Sequence, residues 1–248
     1  MSTGRTTVST GAETEHSVAM WPKGASAEYT AARVELDRAE HALHKEVHRL
    51  AALRRDMPQG PLLDDYEFDE GPLDLGLTEP LSRTRLVDLF GEHDTLFVYH
   101  MMFHPGEEQV CPMCSLWVDG FHGVSRHILQ HAAFAVIAKA PVPEIRRWAN
   151  RRGWDGIRFL SSHGNSFNLD VGAETEDGDQ LPMASVFRRE GDRVRHFYTQ
   201  RANFMDDAEG GFDQLNPVWH ILDLLPSGRG EWYAENSYAG RLRGNLAP

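Results

Sequence analysis

The sequence predicts an α/β fold in which helices cross over a mainly parallel sheet. Three apolar runs rich in β-branched and aromatic residues have the pattern of buried strands: Thr95–Phe103, Ala132–Lys139 and Ile157–Ser161. Helical segments separate them, and a strand–helix–strand order of this length is typical of right-handed crossovers between parallel strands. Two later runs, Met183–Arg189 and Arg193–Thr199, flank a short polar turn and predict an antiparallel hairpin.

Start and stop signals delimit three of the predicted helices. A long N-terminal helix begins at Ser26, because apolar residues recur at three- and four-residue steps until Pro58 ends the pattern. A proline at the start and Gly153 at the end delimit a second helix at Val142–Arg152. A helical extension near Asn216–Leu225 follows the hairpin. The sequence thus predicts one α/β domain with helical additions at both ends.

Composition bounds the partners and the compartment. The chain has 248 residues, and 37 acidic against 25 basic residues give a net charge of −12. We therefore expect no nucleic-acid partner and no membrane partner, since both attract clustered positive charge. The first 20 residues are polar and lack the apolar centre of a secretory signal, which predicts a disordered tail at 1–20 and a cytoplasmic protein.

The remaining chain divides into an N-terminal helix at 21–58 and a domain with its C-terminal extension at 59–248. The long helix has two open roles. It packs on its own domain, or it mediates a homodimer through its apolar stripe.

Both cysteines of the chain lie in one C-x-x-C, Cys111-Pro112-Met113-Cys114, between a predicted buried strand and a predicted helix. At a helix start, free backbone N–H groups and the helix dipole favour a thiolate, so the pKa of Cys111 should fall. Cys114 follows one turn later, close enough to resolve a mixed disulfide. The motif therefore predicts a redox-active dithiol with Cys111 attacking and Cys114 resolving.

Nearby histidines leave a metal site open as the alternative. Cys111, Cys114, His122 and His127 give C-x2-C-x7-H-x4-H, and His104 lies just upstream. The second hypothesis is therefore a zinc, copper or haem-iron protein, with His104, Cys111, Cys114 and His122 as ligands, or a small-molecule enzyme on the same fold that uses the two cysteines and nearby histidines. The dithiol hypothesis expects no cofactor. A cellular dithiol would supply the electrons, since no glycine-rich dinucleotide fingerprint follows a strand.

The dithiol segment resembles a thioredoxin-like bacterial family of unknown function, whose members are labelled predicted dithiol-disulfide oxidoreductases of AhpC/TSA-like type. The resemblance rests on V-Y-H-x-M-F at 98–103, C-P-x-C-S-x-W at 111–117, F-N-L-D at 167–170 and L-D-L-L-P-S-G-R at 222–229. It implies a thioredoxin-like fold with a long N-terminal helix. It also implies thiol–disulfide exchange with a protein or small-molecule substrate. The chain departs from the family pattern at His104, where a small residue is expected.

A peroxidase mechanism is not expected. A peroxiredoxin-like site resembles P-x-x-x-[TS]-x-x-C, and the positions seven and three before Cys111 hold His104 and Glu108. Neither the proline nor the hydroxyl that would orient a peroxide is present.

Two neighbouring residues of the buried strand are expected to face opposite sides of the sheet. His100 stands where thioredoxin-like folds carry a buried carboxylate, so it is a candidate to exchange a proton with Cys114. A hydrogen-bonded core histidine is the equal alternative. Tyr99 then faces away and is expected to pack in the core.

Three further residues are candidate substrate contacts. Pro182 precedes the hairpin as the cis-proline of thioredoxin does, and both cis and trans forms stay open. Trp117 covers the dithiol or fills the core. His163 lies in a loop after a strand, where such sheets present ligands, and a solvated loop histidine is its alternative.

Overall fold

A computed structural model describes residues 21–77 and 79–238 of the chain. The chain divides into two compact units, residues 1–57 and 58–248. The tail predicted for residues 1–20 lies outside the described residues. Within the described ranges, no helix is long and apolar enough to cross a membrane.

The first unit contains one helix, α1 (Ala27–Arg55), as predicted. Ser26 caps its start by accepting a hydrogen bond from the Tyr29 N–H at 3.0 Å. The helix ends at Arg55, three residues before Pro58, and two arginines in its last turn complement the helix dipole. Its use in a homodimer stays a prediction.

The second unit is built on a seven-stranded sheet with the order β2-β1-β5-β4-β3-β6-β7. The strands are β1 (Glu67–Glu70), β2 (Ser82–Arg85), β3 (Thr95–His100), β4 (Ala133–Ala138), β5 (Arg158–Ser161), β6 (Met183–Glu190) and β7 (Arg193–Arg201). The helices are α2 (Pro112–Ile128), α3 (Val142–Arg152), α4 (Phe167–Asp170) and α5 (Pro217–Leu224), with 3₁₀ turns at Leu86–Phe90 and Asp213–Leu215.

The pairing of the strands is that of a thioredoxin-like fold. Strands β3, β4 and β5 are parallel and connected through α2 and α3, whereas β6 and β7 form an antiparallel hairpin that pairs with β3. The predicted crossovers, hairpin, and helical additions at both ends are therefore confirmed. Strand β2 was not predicted because its sequence, S-R-T-R, is polar throughout, as an exposed edge strand allows.

Alternate residues of the central strands face two separate cores. On one side, Tyr99 of β3 and Met101 directly after it pack with Cys114 and Trp117 of α2 and with residues of α3. Leu96 and Val98 face the other side, where the 3₁₀ turn at Leu86–Phe90 and the short helix α4 cover the sheet. Both α2 and α3 lie on one face because both crossovers proceed in the same direction, from β3 through β4 to β5.

Candidate active site

Cys111 occupies the N-cap position of α2 and is half-buried. Its carbonyl accepts the first helical hydrogen bond, from the Ser115 N–H at 3.0 Å. A hydrogen bond with the Cys114 thiol and the backbone N–H groups of Cys114 and Met113 lower the pKa of Cys111 to about 6. Partial burial and the carboxylate of Glu107 oppose this shift. Cys111 is therefore mostly thiolate at neutral pH and partly accessible.

Cys114 lies one helical turn further on and is fully buried. Burial is the main reason that its pKa is raised well above the ordinary value, and the neighbouring Cys111 adds to the rise. The Met102 N–H donates a hydrogen bond to the Cys114 sulfur at 3.4 Å. The two thiols of one motif therefore have opposite protonation states at neutral pH.

Two hydrogen bonds, one buried and one partly buried, fix the helix that carries the dithiol. The Trp148 indole N–H of α3 donates to the Ser115 hydroxyl at 3.2 Å, next to Cys114. The Trp154 indole N–H donates to the Asp119 carboxylate at 2.7 Å, and Arg152 forms an ion pair with the same group. These contacts give Ser115 and Asp119 of the dithiol motif a positioning role that sequence analysis did not assign.

His100 is a hydrogen-bonded core histidine, one of the two roles predicted for it, and does not face Cys114, whereas Tyr99 packs in the core as predicted. His100 faces the core opposite to α2, where its Nε2 lies 3.0 Å from the Ser185 hydroxyl and its ring stacks on Phe167. Tyr99 instead lies beside Cys114, whose sulfur contributes, after burial, to the raised pKa of the tyrosine. The alternation of side chains along a strand puts His100 and Tyr99 on opposite faces of the sheet, but it does not tell which of the two faces α2 covers.

Pro182 lies at the dithiol, as predicted. Its peptide bond with Leu181 is trans. The buried Gln180 side chain fixes this segment. Its oxygen accepts a hydrogen bond from the Phe103 N–H at 2.9 Å, and its nitrogen donates to the Phe103 carbonyl at 3.4 Å. Gln180 therefore joins the segment before β6 to the loop that follows β3.

A cavity of about 400 Å³ opens at the dithiol. Both cysteines, Trp117 and Pro182 line one side of it. Trp117 also packs in the core, with its ring 5.1 Å from that of Phe212, so both of its predicted roles hold in the geometry. The other side is formed by residues after β7 and after α5, among them Glu209, Trp232 and Tyr233.

A family model for bacterial proteins of unknown function, DUF899, matches residues 20–242. The chain belongs to the DUF899 family. A comparison with curated proteins finds no significant match.

Three solved structures illustrate the similarity of this DUF899 protein to known ones. The peroxidoxin BcpB from Mycobacterium tuberculosis is 14% identical with a TM-score of 0.45, and the match covers 64% of this chain and 94% of that one. AhpC from Enterococcus faecalis is 17% identical, with a TM-score of 0.43 and coverages of 63% and 87%. The mitochondrial 2-Cys peroxiredoxin from Plasmodium falciparum is 10% identical, with a TM-score of 0.45 and coverages of 67% and 95%. Such identities are too low to transfer an activity.

The C-terminal segment of the DUF899 protein forms a wall of the cavity. Asn216 caps α5 by accepting from the Val218 N–H at 3.0 Å, and its amide donates to the Leu116 carbonyl of α2 at 3.0 Å. Asn236 donates to the Val110 carbonyl, next to the dithiol, at 2.8 Å. These two asparagines fasten the extension to both ends of the segment that carries the cysteines.

Arg229 holds the same wall together by charge. Its Nε and one terminal nitrogen each donate to Asp223 at 2.6 Å, and its other terminal nitrogen donates to Asp213. The guanidinium also lies 5.3 Å from the centre of the Trp219 ring. Asp223 and Arg229 lie in the segment 222–229 that resembles the family pattern, but their role in holding the wall was not predicted. The spacing between the aspartate and the arginine was the signal that could have indicated an ion pair.

The four ligands of the alternative metal hypothesis are not brought together in this structure. Within the described residues, no group of three or more His, Cys, Asp or Glu side chains is placed to hold a metal ion. His122 lies eight residues after Cys114 on one helix, a rise of about 12 Å. His104 lies in the loop after β3, where its backbone N–H donates to the Glu107 carboxylate at 2.9 Å.

His163 does not contribute to the cavity, contrary to its prediction as a substrate contact. Its side chain is exposed in the loop that follows β5. Strand β4 separates β5 from β3, so this loop begins two strands away from the strand that leads to the dithiol, a spacing of about 10 Å.

Proposed function

We propose that this protein is a thiol–disulfide oxidoreductase. The observation that carries the proposal is the contrast between its two thiols: Cys111 has a pKa of about 6 and reaches the cavity, whereas Cys114 is buried and protonated one turn away. An accessible thiolate beside a protected thiol is the arrangement that thiol–disulfide exchange requires.

The exchange proceeds in two displacements. The Cys111 thiolate attacks one sulfur of a substrate disulfide, forms a mixed disulfide and releases the first substrate thiolate, which takes a proton from water. Cys114 then loses its proton, and its sulfur attacks Cys111 and releases the second substrate thiolate. The substrate gains two electrons, and the protein is left with a Cys111–Cys114 disulfide.

A dithiol reductant then restores the protein by the reverse exchange and becomes a disulfide itself. We propose a cellular dithiol for this role and the cytoplasm as the compartment, where such reductants keep thiols reduced.

Turnover of 2-hydroxyethyl disulfide with dithiothreitol tests the proposal. The wild type should accelerate the reduction, and Cys111→Ser should abolish the acceleration while retaining the fold. Cys114→Ser should instead accumulate a mixed disulfide at Cys111. Mass spectrometry of the intact protein should show it as the added mass of one half of the substrate. Lack of turnover by the wild type with any dithiol donor, or full activity of Cys111→Ser, would overturn the proposal.

A further inference from the structure

We infer that the cavity at the dithiol selects low-molecular-weight organic disulfides that are uncharged or cationic, and disfavours both anionic disulfides and the disulfides of folded proteins. This inference rests on the proposed function and names its substrate class.

The size of the cavity favours a compact substrate. Its volume of about 400 Å³ lies near the lower end of the range for small-molecule sites, which is about 300–1,000 Å³. Cys111 opens into this concave space, and Glu209 and Tyr233 belong to the wall that the segments after β7 and after α5 form. A disulfide held on a protein backbone would need to bring its neighbouring chain past that wall.

The wall is fixed in place. The Asn236 amide donates to the Val110 carbonyl at 2.8 Å, and the Asn236 carbonyl accepts from Arg152 at 3.1 Å. The Trp232 ring packs edge-on against Trp219 with 5.5 Å between the ring centres. Because these contacts involve a strand-connecting loop, a helix and the extension, the cavity is formed before any substrate arrives.

Apolar side chains dominate the interior. Trp117, Phe212, Trp219 and Trp232 present aromatic surface, and Met102 and Met113 add thioether side chains. Such a lining suits the methylene and sulfur atoms of a small organic disulfide.

The charges at the cavity are unfavourable for an anion. Arg229 is the only cationic side chain among the lining residues that the structure describes, and all three of its nitrogens donate to Asp213 or Asp223. Glu209, an exposed residue of the lining, adds a further carboxylate. The lining therefore carries a net negative charge, which repels carboxylates and attracts ammonium groups.

Four disulfides test the inference against one another: neutral 2-hydroxyethyl disulfide, dicationic cystamine, dianionic dithiodiglycolate and insulin. Each kcat/KM is divided by the uncatalysed rate constant with dithiothreitol, which removes differences in intrinsic reactivity. The neutral and cationic disulfides should exceed dithiodiglycolate and insulin by about tenfold or more, equivalent to about 1.4 kcal/mol.

Two variants test the charge selection and the size selection separately. Glu209→Gln should reduce the ratio between cystamine and dithiodiglycolate several-fold, whereas Glu92→Gln, an exposed acid after the 3₁₀ turn at Leu86–Phe90, should leave it unchanged. Tyr233→Ala should raise the relative rate with insulin, and since this side chain is 61% exposed, the variant should fold normally.

The outcomes separate the inference from the proposed function. Equal normalised rates with insulin and 2-hydroxyethyl disulfide would overturn the size selection while the oxidoreductase activity stands. Equal rates with cystamine and dithiodiglycolate, or an unchanged ratio in Glu209→Gln, would overturn the charge selection. Absence of turnover with all four disulfides would overturn the proposed function and, with it, this inference.

Discussion

The Tyr99 hydroxyl lies beside the Cys114 thiol in the core under the dithiol, and neither side chain is exposed to solvent. Among the described residues, this hydroxyl has no well-aligned hydrogen-bond partner. When Cys114 ionises to resolve a mixed disulfide, the Met102 N–H and the Tyr99 hydroxyl are the donors available to its thiolate. Tyr99 is thus a positioning residue for the second displacement.

Tyr99→Phe should slow the resolving step about tenfold, because a hydrogen bond to a charged group contributes about 1.5–3 kcal/mol. The first displacement at Cys111 should keep its rate. Stopped-flow release of the second thiol, measured after a rapid first release, separates the two steps. The variant should also unfold within about 1 kcal/mol of the wild type, since it removes a buried hydroxyl without a well-aligned partner.

His100→Gln is the matched control for this measurement, since His100 lies in the neighbouring position of β3 on the other face of the sheet. It should leave both displacements at the wild-type rate. A slow second displacement in His100→Gln and a normal one in Tyr99→Phe would restore the proton-exchange role that sequence analysis gave to His100.

His100 should make the protein sensitive to acid. Burial, and secondarily the neighbouring His196, lower the pKa of His100 from 6.5 to about 3. Below pH 6.5, His100 therefore binds a proton in the unfolded chain, whereas in the folded protein it binds that proton only near pH 3. This contribution to stability is complete above pH 6.5 and is lost as the pH falls toward 3, at about 1.4 kcal/mol per pH unit.

Urea unfolding of the wild type and His100→Gln between pH 7 and pH 4 measures this effect. As the pH falls, the free energy of unfolding should decrease more steeply for the wild type. The difference in slope should correspond to about one additional proton bound on unfolding. His196 contributes to both proteins, so its effect cancels in the difference. Parallel curves for the two proteins would show that His100 is protonated in the folded state.

Two glycines of α2 should respond oppositely to alanine. A Cβ at Gly120 would lie 2.6 Å from the Asn216 side-chain nitrogen, whereas a Cβ at Gly123 would meet nothing within 4 Å. Gly120→Ala should destabilise the protein by about 1–3 kcal/mol through overpacking. Gly123→Ala should stabilise it by about 0.5–1 kcal/mol, because alanine is the better helix former.

Chemical denaturation of both variants checks the pair, and turnover adds a second readout. Gly120→Ala should also raise KM for 2-hydroxyethyl disulfide, since Asn216 caps α5 and Trp219 of that helix lines the cavity. Equal stability of the two variants would mean that the Asn216 side chain moves away from the new Cβ without lowering the free energy of unfolding.

The elements with local signals were predictable from sequence. Helix α3 has the predicted bounds, Val142–Arg152, because Pro141 precedes it, Pro143 lies in its first turn and Gly153 closes it in the left-handed conformation. The dithiol lies at the start of α2 as predicted, because the helical pattern begins there with Pro112 in the first turn. Strand β3 is shorter than predicted and ends at His100. The apolar residues after it belong to a loop in which Met101 and Phe103 are buried in the core and Met102 lines the cavity.

The cavity was not predictable in the same way. Its far wall is formed by irregular segments around Glu209 and Tyr233, which have no hydrophobic period to indicate their position. Arg229 and Asn236 position this wall through contacts that include Asp213, 16 positions away, and Val110, 126 positions away in the chain. The face of Tyr99 likewise depends on which side of the sheet receives α2, and only the tertiary structure decides that.

Cys114 should itself control the acidity of its neighbour. The hydrogen bond with the Cys114 thiol is the largest cause of the lowered pKa of Cys111. Cys114→Ala should therefore raise the pKa of Cys111, while the backbone N–H groups of the helix start keep it below the ordinary value of about 8.5. Thiolate absorbance near 240 nm, titrated against pH, measures the shift, and an unchanged midpoint would contradict it.

The pH dependence of iodoacetamide alkylation at Cys111 in the reduced wild type tests the account most directly. Peptide mass mapping identifies the modified cysteine, and Cys111→Ser gives the background. The rate should rise through a midpoint near pH 6 and stay constant above pH 7, with Cys114 unmodified in the folded protein. A midpoint near pH 8.5, or modification of Cys114 before Cys111, would contradict the account.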